Sequence, residues 1–238
     1  GFMGFAVWSH HMFTTGLGPV VNTAFALTSF VIGIPTGIKI FNWLGTIWGG
    51  KVVFTTAMLY AISFLITFTI GGITGIMLAV PPFDAQAQDS YFVVAHFHYV
   101  MGGGALMAFF AGLYYWFPKM SGKLMDERIG KLGFWFLVPG LHLIFFPQHI
   151  AGLMGMPRRT QTYVAGIGLE LPNMLSTAGT FVMLIGLILL LVNIVHGLLR
   201  GKPAGNDPWD ARTLEWAVSS PPPHHNFDHQ PMVNDRDA

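Results

Sequence analysis

His96 and His98 stand two residues apart in the run Asp89-Ser90-Tyr91-Phe92-Val93-Val94-Ala95-His96-Phe97-His98-Tyr99-Val100, which opens an apolar stretch ending near Trp116-Phe117-Pro118. On a helix, residues two apart differ by about 200° around the axis. The two imidazoles therefore leave on nearly opposite sides and cannot share one metal, but they can hold two cofactors, one on each flank. Imidazole suits iron, and a single His is a common axial ligand of haem. The competing reading is two hydrogen-bonded core histidines. Against it, ionisable groups inside lipid-spanning segments are costly and mark function.

A second pair, His10-His11, ends the first apolar stretch. Neighbours on a helix point about 100° apart, so both reach one metal only where the helix ends or distorts, and Gly16, Gly18 and Pro19 follow. Two neutral imidazoles without a carboxylate or thiolate suit copper or zinc, and at least one more ligand must come from elsewhere. The plain alternative is an interfacial His pair. Arg158-Arg159, in Gly155-Met156-Pro157-Arg158-Arg159, offers bidentate guanidinium contacts to carboxylates, haem propionates among them; the alternative is contact with lipid headgroups. Asp84 and Asp89 share that polar layer, and Asp89 offers oxygen to a hard cation. Lys39 follows Thr36 at helical spacing, with Ser29 two turns earlier. This hydroxyl stripe ends in an amine and reads either as a proton path or as a lysine snorkelling to the interface. Gly102-Gly103-Gly104 allow close backbone packing. His142, His149 and His196 read as packing residues, and His224, His225 and His229 as solvated.

The elements that must position these groups are membrane helices. Of 238 residues, 53% are hydrophobic and 10% charged, against about 25% charged in soluble domains. The charges cluster, leaving long uncharged stretches. The net charge of +1 implies no nucleic-acid partner, and the lack of cysteine excludes disulfides, thiolate haem ligation and iron–sulfur clusters. The expected fold is all-α: a polytopic transmembrane helix bundle with the end of one helix up to His11 and about five full spans near 20–46, 54–80, 91–117, 132–154 and 173–199. Residues 1–200 form the membrane core and 201–238 a polar, Pro-rich tail, extended and partly disordered. Phe83–Ser90 and Lys119–Lys131 read as loops. The apolar opening at Gly1, with no initiator Met, reads as a start within a larger protein. Lys51, Lys119, Lys123, Arg128, Lys131, Arg200, Lys202, Arg212 and Arg236 fall at one end, with Lys39 near it, and only Arg158 and Arg159 at the other. The positive-inside rule places the tail in the cytoplasm and the histidine layer outward.

Several motifs occur together and in order: Trp8-Ser9-His10-His11-Met12-Phe13, Pro35-Thr36-Gly37-Ile38-Lys39, Val94-Ala95-His96-Phe97-His98-Tyr99, Gly155-Met156-Pro157-Arg158-Arg159, and Asp207-Pro208-Trp209 with Arg212-Thr213-Leu214-Glu215-Trp216 and Ser219-Ser220-Pro221-Pro222-Pro223. With them the chain resembles the C-terminal half of a twelve-helix subunit I of bacterial A-type haem-copper terminal oxidases, of the cytochrome c oxidase kind. The resemblance implies that His10 and His11 are two of three copper B ligands. It makes His96 the axial ligand of the high-spin haem and His98 that of the low-spin haem. Arg158 and Arg159, with Asp84 in the same layer, would face propionates. Lys39, Thr36 and Ser29 would form a proton channel, and Asp89 would bind a magnesium ion. Gln88 departs from the family pattern, which has His there. The third copper ligand, the cross-linked Tyr and the second low-spin haem ligand are not in this sequence. The implied reaction is reduction of dioxygen to water with electrons from cytochrome c, or an attached c-type donor, through a subunit II, coupled to proton translocation in the bacterial cytoplasmic membrane beside other oxidase subunits and lipid.

Asp89 and Tyr99 favour this reading over a quinol oxidase. Lys39 and its stripe favour it over a nitric oxide reductase, and His10-His11 over a non-catalytic dihaem anchor. Haem absorbance would separate all of these from an ion transporter.

Overall fold

The computed structural model describes residues 1–227; His229 and Arg236 lie outside them. Helices dominate the described residues. They run in the order α1 (Phe2–Val7), a 3-10 turn (Trp8–Met12), α2 (Pro19–Ile47), α3 (Thr56–Leu78), α4 (Pro81–Ala87), α5 (Tyr91–Val100), a π turn (Met101–Leu106), α6 (Met107–Ser121), α7 (Glu127–Leu153) and α8 (Glu170–Arg200). Five helical stretches are long and apolar enough to cross a membrane, with α5, the π turn and α6 counting as one.

Local chemistry sets the boundaries. Thr55 caps α3 by accepting from Met58 N, Ser90 caps α5 through Phe92 N, and Asp126 caps α7 through Arg128 N and Ile129 N at 2.8 and 3.0 Å. Gly122 ends α6 in the left-handed region at φ 72°. Two expected loops therefore shrink. The Lys119–Lys131 segment is helical to Ser121 and again from Glu127, so Lys119, Arg128 and Lys131 sit on helix ends. Phe83–Ser90 is mostly α4, because Pro81 and Pro82 end the preceding span yet suit the first turn of a new helix, where a missing N–H costs nothing.

The core lies between α3, α6, α7 and α8, around Tyr60, Met107, Phe110, Tyr114, Leu137 and Leu141. α7 and α8 approach to backbone contact: a Cβ on Gly140 would sit 2.6 Å from Met183 N, and one on Gly179 2.7 Å from Ile144 N. Close approach through small residues is how membrane helices associate where apolar burial gives little drive.

The tail up to residue 227 docks on the helix ends, which corrects its reading as extended and partly disordered for these residues. Trp209 Nε1 donates to Tyr115 O and Trp216 Nε1 to the Tyr115 hydroxyl, both at 2.9 Å, and Trp216 is buried. Lys119, only 9% exposed, donates to the carbonyls of Val218, Ser219 and Asn206 at 2.8, 3.3 and 3.4 Å, with its ammonium 4.8 Å from the Trp216 ring centre. Periodicity cannot foresee this, because the partners lie about a hundred residues apart.

Candidate cofactor site

The 3-10 turn at Trp8–Met12 supplies the distortion that the adjacent histidines require. His10 Nε2 and His11 Nε2 lie 3.0 Å apart, with the rings at 76° to each other. Ser29, one of α2's two fully buried residues, donates its single proton to Phe25 O at 2.6 Å. Its contact with His10 Nδ1 at 2.9 Å must then be Nδ1–H donating to Oγ, which leaves His10 Nε2 with a free lone pair.

The same argument fixes two more tautomers. His96 Nδ1 lies 3.0 Å from Gly71 O and from Thr74 Oγ1. A carbonyl only accepts, so Nδ1 carries the proton and Nε2 is bare. His98 Nδ1 donates to Val94 O at 2.8 Å. In their neutral form these three imidazoles present an unprotonated Nε2, the form in which histidine binds a metal.

His10, His11, Ser29, Thr36, Asp84 and His96 line one cleft of about 390 Å³, which Gln88 also borders. Glycine keeps it open beside His96, since a Cβ on Gly75 would lie 2.9 Å from His96 Cε1. His98 does not line it. Its ring stacks on Phe145 at 4.0 Å and 12°, so the two α5 histidines diverge as their spacing requires. Asp84, expected in a loop, is instead 2% exposed on α4, and its Oδ2 finds no partner among the described residues. Burial, with a smaller effect from Asp89, pushes its carboxyl up to about 6.

Other expected groups stand apart from the cleft. Lys39 is exposed on α2, its ammonium 5.9 Å from the Trp43 ring centre, although Thr36 one turn before it lines the cleft, its Oγ1 donating to Ile32 O at 3.2 Å. Arg158 Nη2 pairs with Asp89 Oδ1 at 2.7 Å, and Arg158 N donates to Asp89 O at 2.8 Å. Arg159 is exposed in a left-handed conformation at φ 64°. Sequence reasoning missed Thr74, whose signal was a hydroxyl in an apolar helix. It also missed His142, which meets Tyr99 Oη at 2.7 Å across 43 residues and carried no local signal.

Two nitrogens sharing one metal at about 2.0–2.1 Å lie about 2.9–3.4 Å apart, so the 3.0 Å His10–His11 separation fits a shared metal. Among the described residues no group of three His, Asp or Glu side chains converges. The bare Nε2 of His96, facing the cleft, fits an axial haem ligand, and His98 fits one on the opposite flank. Asp89, offered to magnesium, is paired with Arg158 through one carboxylate oxygen, and among the described residues no group of three acidic or imidazole side chains forms around it.

The fold and site define a polytopic helical membrane protein with a histidine-lined cleft. The profile of the family "Cytochrome C and Quinol oxidase polypeptide I" matches residues 1–182, and the chain belongs to that family. It is 57% identical over 238 residues to cytochrome c oxidase subunit 1 of Bacillus subtilis, covering all of this chain and 38% of the relative. It is 55% identical over 237 residues to that of Alkalihalophilus pseudofirmus, covering 99% and 38%. A solved heme-copper terminal oxidase dimer superposes at a TM-score of 0.70 with 24% identity, covering 84% of this chain and 40% of that one, a likeness of fold. The chain thus spans 38% of the length of these two relatives.

Proposed function

We propose that this chain contributes to a terminal respiratory oxidase that reduces dioxygen to water at a haem-copper centre. Electrons come from cytochrome c or an attached c-type donor through a subunit II, and the reaction is coupled to proton translocation. Four electrons and four protons convert one dioxygen to two waters; when bound, copper and haem iron supply the electron transfer and the oxygen chemistry. The chain's own residues position and protonate. His10 and His11 would hold copper through Nε2, with Ser29 fixing the His10 tautomer. His96 would hold the high-spin haem through Nε2 while Gly71 O and Thr74 orient its ring. His98, on the opposite flank of α5, would hold the low-spin haem. Arg158, Arg159 and Asp84 serve the propionate layer. Lys39 and Thr36 carry protons from the inner side, with Ser29 as the last hydroxyl before His10. The proposed orientation places the tail in the cytoplasm and the histidine layer outward.

The observation that carries this reading is the 3.0 Å His10–His11 nitrogen pair lining the same cleft as the bare Nε2 of His96. The test is metal analysis of His10→Ala and His11→Ala in the intact oxidase. Each variant loses the copper of this centre and oxygen reduction while both haems remain. Copper stoichiometry equal to the parent's, after allowance for copper in a partner subunit, refutes it.

A further inference from the structure

A second polar column runs along α3, away from the cleft. Thr56, Tyr60, Ser63 and Thr67 follow at spacings of four, three and four residues, which keeps them within about 60° of arc on one helix face. All four are buried, Tyr60 and Thr56 completely and Ser63 to 5% exposure. The ends of the column are satisfied. Glu127 Oε2 accepts from Thr56 N and Oγ1, both at 2.9 Å, and Thr67 Oγ1 donates to Ser63 O and to Gly103 O in the π turn. The middle is not: Tyr60 Oη and Ser63 Oγ find no hydrogen-bond partner among the described residues. The rings around Tyr60 are those of Phe110, Tyr114 and Phe134.

An unpartnered buried hydroxyl costs about 1–3 kcal/mol on mutational scales, and two lie one helical turn apart here. A buried water makes about three hydrogen bonds to such groups, so internal water can serve each of them. A source of water lies close by. At the end of the bundle where the tail docks, a cavity of about 140 Å³ is lined by Thr55, Tyr114, Glu127, Pro208 and Trp209, large enough for several waters. Tyr114 belongs to both regions. It lines this vestibule, its hydroxyl accepts from Asn193 Nδ2 at 3.2 Å, and its ring stacks on Tyr60 at 5.8 Å and 20°.

We propose that Tyr60 and Ser63 bind internal water continuous with this vestibule beneath a lid formed by Trp209 and Pro208. α3 then carries a water- and proton-accessible well from Glu127 to the π turn that follows His98. The well is blind. One turn beyond Thr67, Gly71 packs so closely on α5 that a Cβ there would lie 3.0 Å from the backbone of Tyr99 and Val100. The well lies on a different helix from Lys39 and Thr36, and it stands whether or not the metal reading does.

The test uses the intact oxidase containing the whole subunit. An experimental density map at about 2 Å resolution is expected to show water within about 2.7–3.2 Å of Tyr60 Oη and of Ser63 Oγ. Tyr60→Phe then removes a partner from that water and lowers the Tm by about 2–4 °C. A dry, unpartnered hydroxyl gives the opposite sign, because its removal relieves a desolvation cost. Proton access is read from the phenolic C–O–H infrared band that Tyr60→Phe abolishes, which should shift within minutes of transfer to D2O. A map without water at these hydroxyls, a Tyr60→Phe Tm equal to or above the parent's, or a band that does not shift each overturns the proposal.

Discussion

Replacing Ser29 with alanine removes the acceptor that fixes the His10 tautomer. Ser29 Oγ gives its proton to Phe25 O at 2.6 Å and receives that of His10 Nδ1 at 2.9 Å. In Ser29→Ala the imidazole proton has no fixed address, and the form with Nε2 protonated, which cannot bind copper, becomes accessible. The ring is also free to turn away from the 3.0 Å alignment with His11. Losing such a partner behind a ligating histidine weakens metal binding about 10- to 100-fold, or about 1.4–2.7 kcal/mol. Ser29→Thr keeps the hydroxyl and should hold copper within a few-fold of the parent. The assay is copper per haem in purified oxidase equilibrated against graded chelator. Copper retention in a folded Ser29→Ala protein equal to the parent's refutes the tautomer argument. So does a loss in Ser29→Thr as large as that in Ser29→Ala.

The remaining expectations probe other links. His98→Ala should disturb the low-spin haem spectrum and His96→Ala the carbon monoxide-binding haem; identical spectral losses in both assembled variants would contradict their divergence on α5. Lys39→Met should leave haem content and low-spin haem reduction near normal while slowing reduction of the high-spin centre and cutting turnover by orders of magnitude, and near-normal turnover would make Lys39 an interfacial anchor beside Trp43. Asp126→Ala should cost about 1 kcal/mol of stability at neutral pH through loss of the α7 cap. The backbone N–H groups of Ile129 and Arg128 hold the Asp126 carboxyl below the usual range. Its contribution is thus complete above the unfolded value near 4 and disappears as pH falls through the lower folded value. Equal Tm differences between parent and variant at pH 7 and well below pH 3 would count against it.

The spans were legible because length and apolarity are local properties, and α2, α3, α7 and α8 lie within a few residues of their expected bounds. The divergence of His96 and His98 was legible because helical angle follows from spacing alone. Asp84 was not, since two prolines ending one helix also suit the start of another, and a single charged residue in seven does not reveal that the segment folds inward. Ser29 and Thr36 line one cleft, as their spacing allows, yet the bond of Ser29 to His10 spans a turn whose path no periodicity specifies. The Arg158–Asp89 pair joins residues from opposite ends of two spans. Sequence placed both in one layer but did not foresee that Arg158 engages Asp89.

The Lys119 contacts with the tail have a consequence in time. Lys119 is made 87 to 100 residues before the three carbonyls that receive its ammonium. At about 5–20 residues per second, that leaves an interval of about 5–20 s during synthesis. Throughout it α6 is complete while its final lysine is uncovered. During that interval the lysine is a bare positive charge at the mouth of a newly inserted span, where such charges set the direction of insertion. Once the tail arrives, the same charge is enclosed and becomes a latch. On the proposed orientation one residue serves insertion early and closure late, and the segment from Asn206 to Ser219 decides when the first role ends.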